Sequence, residues 1–202
     1  MNLELAISVV ALLGVSTLYI LCIPKIKKDT NMNTDKRIYK YDVRTVANYI
    51  AYKGEEINLL IDAHQLQKLL YYAECLKLYI SYNKESLFKD DFSAFMTGPI
   101  IPKLWDRYAK IGFAPIYVLH DYNDSTNPNL VEPEDREILD EIIEYFGTLP
   151  ASKLSEMTHN EIPWLSTYEE GKQKIIPKDL LYKVFLENEN VEALKPNVKS
   201  KK

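Results

Sequence analysis

The chain has 202 residues, a length that suits one domain with a sizeable core and leaves little room for a second. Hydrophobic residues make up 47% of it and charged residues 27%, proportions typical of globular proteins, which argues against a chain that is disordered throughout. The net charge of −4 is a poor match to a phosphate backbone, and the central part of the sequence has no basic patch, so we expect no nucleic-acid partner.

Few residues are candidates for chemistry. The two cysteines, Cys22 and Cys75, have no CxxC spacing, and the three histidines are far apart, so neither a disulfide framework nor a zinc site is supported. The sequence also lacks the common phosphate-binding, zinc-protease and nucleophile-elbow motifs. His159 is the one histidine worth weighing as a catalytic base, but nothing nominates its nucleophile, so a buried or capping role is favoured. We therefore expect no enzymatic activity, no cofactor and no metal.

The first element in chain order is an apolar segment. Residues 5–23 contain no charged side chain, which is just long enough for a helix that crosses a bilayer. Three lysines follow directly: Lys25, Lys27 and Lys28. If residues 1–31 are an anchor, the positive-inside rule tethers the following domain to the inner face of the membrane. The alternative is that translation starts at Met32 and that residues 1–31 are an untranslated leader. Under both interpretations the domain is cytoplasmic.

Helical periodicity begins after residue 42. Asp42 is a good N-cap for a first helix, which Gly54 should end. A second helix begins with a capping-box arrangement of Asp62 and Gln65. Its apolar stripe comprises Leu66, Leu69, Leu70, Ala73, Leu76 and Ile80.

Short extended segments come next. Residues 92–97 are apolar and alternating, end at Gly98-Pro99, and read as a brief strand or an extended loop. Residues 116–119 have β character and could pair with them as a small hairpin-like sheet. Between the two segments, Pro102 suits the first turn of another helix, which Gly112 should close.

Three further helices are predicted: one from Pro133 to Gly147, one over residues 151–158 and one from Pro177. The first has an acidic face, formed by Glu132, Glu134, Asp135, Glu137, Asp140, Glu141 and Glu144. We favour a solvated face whose acids suit the helix N-terminus, and the alternative is an acidic docking surface for a basic partner. The prediction is thus a mainly α domain over residues 42–188, with five to six helices and a small β-hairpin. An apolar N-terminal helix precedes it, and a basic, disordered tail, 189–202, follows.

Three blocks of the sequence form a pattern by their order and spacing. The first joins VANYI at 46–50 to LQKLLYYA at 66–73, the second is AFMTGPIIP at 94–102, and the third is LSEMTHNEIPW at 154–164. Together they resemble the Panacea, or SocA-like, antitoxin domain family. The blocks cover most of residues 43–164 and leave the N-terminal run and the tail outside. Phe95 replaces a frequent tryptophan, and Ile100-Ile101 replaces a more usual valine pair, and both changes keep apolar volume.

The resemblance implies an antitoxin that neutralises a cognate toxin protein by direct binding. The alternative is a proteolytic adaptor, or a phage-accessory protein, that delivers a partner to a protease. Membrane contact is expected only if residues 5–23 are translated as an anchor. The residues expected to bind the partner or to form the family motif are Lys68, Tyr71, Tyr72, Gly98, Pro99, Thr158, His159 and Trp164. The Lys68 ammonium could bond carbonyls of the Gly98-Pro99 turn or reach a partner.

Overall fold

The fold was obtained as a computed structural model, which describes residues 37–116 and 123–185. Within those residues it has seven α-helices and four short strands. In chain order they are β1 (Ile38–Tyr41), α1 (Val43–Glu56), α2 (Ala63–Ile80), β2 (Glu85–Phe88), β3 (Ser93–Phe95), β4 (Gly98–Ile100), α3 (Pro102–Tyr108), α4 (Pro133–Phe146), α5 (Ala151–His159), α6 (Ile162–Leu165) and α7 (Lys178–Lys183). The mainly helical prediction is confirmed. The predicted apolar helix and basic tail lie outside the described residues.

Helix α2 is the centre of the fold. Its predicted capping box is present, because the Asp62 side chain accepts from the His64 and Gln65 amides and the Gln65 side chain accepts from the Asp62 amide. Every residue of the helix except His64, Gln65 and Ile80 is buried. Helices α1, α4, α5 and α7 and strands β2 and β4 all contact it. A helix buried on all sides must also bury its polar residues, so the predicted one-sided stripe was too narrow.

Two helices do not end at the glycines that were predicted to end them. Helix α1 continues past Gly54 to Glu56, because Gly54 serves close packing instead: a Cβ there would lie 2.7 Å from the Ile61 Cδ1 atom and 2.8 Å from the Leu59 carbonyl oxygen. Helix α3 ends at Tyr108, and a 3-10 turn (Ala109–Ile111) then leads to Gly112. No helix in the described ranges is both long and apolar enough to cross a membrane.

The strands form two separate pairs. Strand β1 is parallel to β2, and β3 forms an antiparallel hairpin with β4. A hairpin was expected, but with residues 116–119 as the second strand. The chain closes instead through Met96 and Thr97 onto Gly98, because a two-residue turn needs far less loop closure than a connection of about twenty residues. The Ile116 amide bonds the Ile61 carbonyl at 2.9 Å, and residues 117–119 lie outside the described ranges.

Helix α4 begins with Pro133 and is capped by Gly147, as predicted. Asp135 was predicted to lie on the solvated face of this helix. That prediction is wrong, because Asp135 is 0% exposed. Its carboxylate lies 2.6 Å from the Lys40 ammonium and 2.8 Å from the Lys77 ammonium, and it accepts the Tyr41 hydroxyl at 2.7 Å. Strand β1 brings Lys40 and Tyr41 onto the first turn of α4, and helical periodicity alone carries no information about that contact. The strand also lies ahead of residue 42, the predicted start of the domain.

Candidate partner-binding site

The three sequence blocks meet where α2, the β3–β4 hairpin and α5 pack together. Lys68 of α2 is 0% exposed, and its ammonium donates to the Pro99 carbonyl at 3.1 Å. This is the first of the two contacts expected for Lys68. The neighbouring Gln67 side chain accepts from the Ile101 amide at 2.8 Å. Gln67 and Lys68, which are consecutive polar residues of α2, therefore hold the backbone of Pro99 in β4 and of Ile101 just after it.

The turn of the hairpin requires glycine at position 98. Gly98 has a φ of +100°, which L-residues with side chains rarely adopt. A Cβ there would lie 2.8 Å from the Thr158 Oγ1 atom and 2.9 Å from the Lys68 Cε atom. Thr158 itself is buried and donates to the Ser155 carbonyl. Gly98 thus allows the hairpin to pack closely against α2 and α5 at once.

Helix α5 and the residues after it hold the turn from outside. The Ser155 hydroxyl donates to the Thr97 carbonyl at 3.0 Å, and the Trp164 indole donates to the Phe95 carbonyl at 2.8 Å. Trp164 stacks on His159 at 4.1 Å between ring centroids and on Tyr168 at 4.3 Å. Burial and the nearby Lys68 lower the pKa of His159, and a hydrogen bond to the Met96 backbone opposes this effect. His159 and Trp164 are half-buried, so both reach the surface.

Tyr71 and Tyr72 share a buried acceptor that the sequence analysis did not identify. Their hydroxyls donate to the two carboxylate oxygens of Glu161, at 2.6 and 3.0 Å. All three side chains are buried, and this burial raises the pKa of Glu161 to about 7 and the pKa values of both tyrosines. Because nearly all of α2 is buried, the hydroxyls of two adjacent tyrosines on it need hydrogen-bond acceptors. This need is the signal that could have pointed to a buried acceptor such as Glu161. Glu161 stands inside the third sequence block.

Most of the eight predicted site residues lie beneath the surface. The buried ones are Lys68, Tyr71, Tyr72, Gly98, Pro99 and Thr158. The exposed part is the turn above them, where Met96 is 75% exposed. Among the described residues, no group of histidine, cysteine and acidic side chains is arranged to hold a metal ion. The buried motif residues therefore support a surface made of the Met96–Thr97 turn, His159 and Trp164, which we call the motif face.

This arrangement defines a mainly helical domain whose buried polar residues support one exposed turn. Residues 66–165 match the family model described as the antitoxin SocA-like, Panacea domain. That part of the chain belongs to this antitoxin-like family, whose members are not typically enzymes. The match runs from α2 to α6, with β1, α1 and α7 outside it. Neither curated proteins nor solved structures gave a match.

Proposed function

We propose that the chain is the antitoxin of a toxin–antitoxin pair and neutralises a cognate toxin by direct protein–protein binding in the cytoplasm. The observation that carries this proposal is the membership of residues 66–165 in the antitoxin-like family, since these residues build the motif face. In the free chain the motif face has one defined shape. Here hydrogen bonds from Ser155, Trp164 and Lys68 hold the turn.

The motif face has the chemistry of a protein-binding surface. Methionine and aromatic residues are enriched at protein interfaces, and here an exposed methionine lies beside a stacked histidine and tryptophan. The stack limits the rotation of these rings, so less side-chain entropy is lost on binding. We therefore place the toxin contact on the motif face and assign the buried motif residues the role of supporting it.

A growth assay tests the proposal. A host expresses the protein encoded next to this chain, alone or together with the chain translated from Met32. The proposal predicts growth arrest that the chain relieves. A neighbouring product that is harmless, or arrest that the chain does not relieve, contradicts it. If deletion of the chain lengthens the lifetime of the partner, the adaptor role takes the place of simple neutralisation.

Two matched variants locate the contact in the same assay. Met96→Asp adds a charge to the motif face. Ile38→Asp adds the same charge to β1, at a side chain that is also exposed (58%) and lies near the opposite end of α2. The expected result is loss of relief with Met96→Asp only, at equal protein levels. Equal relief by both variants would place the contact elsewhere on the domain.

A further inference from the structure

Lys68 differs from the other buried lysines of the described residues, Lys77 and Lys178. Lys77 lies 2.8 Å from both Asp135 and Glu85, and Lys178 lies 2.8 Å from Glu74. Lys68 has no carboxylate partner in the described ranges, and the Pro99 carbonyl is the one acceptor there for its three N–H groups. A buried cation without a counter-ion is unfavourable, and burial accordingly lowers the pKa of Lys68 to about 7.

A second unpaired polar atom lies close by. The His159 Nε2 atom is enclosed and has no hydrogen-bond partner among the described residues. Burial and then the charge of Lys68 lower the pKa of His159 on α5. Burial also lowers the pKa of His64, one turn earlier on α2, where Asp62 opposes the shift and Lys68 adds to it. These two histidines are the groups of the described residues on which the charge of Lys68 is seen to act. The buried acid Glu161 is occupied by the hydroxyls of Tyr71 and Tyr72.

The Met96–Thr97 turn adjoins this polar region, because Gly98, the next residue, lies against the Lys68 side chain and the His159 ring is hydrogen-bonded to the Met96 backbone. Besides the pairing of β3 with β4 and the bond from the Ala94 amide to the Lys174 carbonyl, three side-chain hydrogen bonds hold the turn and the residues beside it. They run from Ser155 to the Thr97 carbonyl, from Trp164 to the Phe95 carbonyl and from Lys68 to the Pro99 carbonyl. Each contributes on the order of 1 kcal/mol, so opening of the turn costs a few kcal/mol at most from these bonds. The turn itself is exposed at both residues. A partner that displaces it gains access to Lys68.

We propose that Lys68 forms a carboxylate-binding site beneath the Met96–Thr97 turn, with the His159 ring beside it, and that an acidic side chain of the protein partner occupies it. The proposal rests on the proposed function for the source of the carboxylate, although the site itself is a property of this chain. A carboxylate fits better than a phosphate dianion, because one lysine supplies one positive charge and a second negative charge would stay uncompensated in an enclosed site. Glu74 already pairs with Lys178 in this way elsewhere in the molecule.

The test uses acetate as the probe and the full chain as the protein. NMR titration of the lysine side-chain signals measures the pKa of Lys68 at rising acetate concentration, with sodium chloride at equal ionic strength as the control. A bound carboxylate should raise the pKa of Lys68 by a unit or more, shift the His159 ring signals and leave the exposed Lys103 unchanged. Absence of an acetate effect, or an equal effect of chloride, overturns the site.

The readout does not depend on one variant. The NMR signal of Lys68 is identified by its absence in Lys68→Met, or in Lys68→Arg if the methionine variant does not fold. The titration itself is done on the unaltered chain. The experiment uses this chain alone, so its failure leaves the antitoxin proposal standing, and a failed growth assay leaves the acetate result standing.

A second titration separates the two sources of carboxylate. It repeats the measurement on the complex with the product of the neighbouring gene, with and without acetate. A raised pKa of Lys68 in the complex, with no further response to acetate, assigns the site to an acidic side chain of the partner. An unchanged acetate response in the complex contradicts that assignment and indicates a free carboxylate ligand instead.

Discussion

At the scale of single residues, Glu161 and Lys68 give the folded chain an unusual dependence on pH. Burial raises the pKa of Glu161 from 4.5 to about 7, so between these values the folded chain binds more protons there than the unfolded chain. Stability from this group is therefore present at low pH and falls as the pH rises toward 7. Burial lowers the pKa of Lys68 from 10.5 to about 7, so between pH 7 and 10.5 the folded chain binds fewer protons there, and stability rises with pH.

These opposite slopes predict a minimum in the free energy of unfolding near pH 7. Glu161→Gln keeps the shape of the side chain and one of the two acceptors for the tyrosine hydroxyls, and it has no charge to bury. The loss of the second acceptor is a cost that does not depend on pH. The variant should therefore gain stability relative to the unaltered chain as the pH rises from 4.5 to 7, by about 2–3 kcal/mol in total. Urea unfolding across this range measures the difference. A constant difference between the two proteins would contradict the assignment to Glu161.

Gly98→Ala is expected to destabilise the fold by about 2–4 kcal/mol. The new Cβ would meet both Thr158 and Lys68 below 3.0 Å, at a φ that already disfavours alanine. The control is Gly112→Ala, because Gly112 also has a positive φ but nothing lies within 4 Å of its added Cβ. Denaturant unfolding should show the larger loss at position 98. Equal losses would mean that backbone strain alone, and not the packing of the turn, sets the requirement for glycine.

Sequence patterns could predict part of this site, and the rest depends on tertiary contacts. The contact of Lys68 with Pro99 follows from a polar residue beside an apolar stripe and from residue types that favour a turn. The turn itself lies at Met96–Thr97, and Gly98 and Pro99 begin strand β4. The pairing of Tyr71 and Tyr72 with Glu161 could not be derived in this way, because residues 90 and 89 positions apart meet only when the segment after α5 folds back onto α2. Asp135 was misplaced for the same reason, since its partners come from β1 and α2.

At the scale of elements, α7 is joined to α2 by a buried ion pair. The Lys178 ammonium lies 2.8 Å from a Glu74 oxygen and also donates to the Asp90 carbonyl at 3.1 Å. Glu74 accepts in addition from the Ser86 hydroxyl and the Leu87 amide, which ties β2 to the same carboxylate. This cluster connects α2, β2 and α7.

Lys178→Met should destabilise the chain by about 3 kcal/mol or more, because it leaves the Glu74 charge buried without its cation. Lys183→Met, at an exposed position of the same helix, should change the free energy of unfolding by no more than about 0.5 kcal/mol. Thermal or urea unfolding measures both. Addition of Glu74→Gln to the Lys178→Met chain should recover part of the loss, and a double variant that is less stable than Lys178→Met would contradict this account.

The ends of the elements were easier to predict than their partners. The Asp62 capping box and the Pro133 start depend on residues within one turn of the helix, so the local sequence contains the signal. Strand β1 was missed because four residues with half-buried and exposed side chains show no strong period, and only pairing with β2 makes them a strand.

At the scale of the whole molecule, the folded unit is larger than the segment that the family model matches. Val43, Val46 and Ile50 of α1 are 0% exposed, as is Leu181 of α7, and all of them lie outside residues 66–165. The two ends of this unit also meet, because the Arg37 guanidinium lies 2.7 Å from Asp179.

A polypeptide of residues 66–165 should therefore fail to fold alone, whereas residues 37–185 should fold. Loss of α1 and α7 exposes the sides of α2, and each large apolar side chain returned to water removes about 1.5–3 kcal/mol of stabilisation. Circular dichroism and cooperative thermal unfolding of the two polypeptides make the comparison. Cooperative unfolding of the shorter one would show that α1 and α7 are accessory.

The most direct test of the central claim is a calorimetric titration of this chain, started at Met32, with the purified product of the neighbouring gene. Neutralisation by direct binding predicts a saturable complex with a Kd of about 10 nM or below. Met96→Asp should weaken that complex at least tenfold, roughly 1.4 kcal/mol, with Ile38→Asp unchanged. Absence of binding by a partner that arrests growth, and whose arrest this chain relieves, would contradict the account.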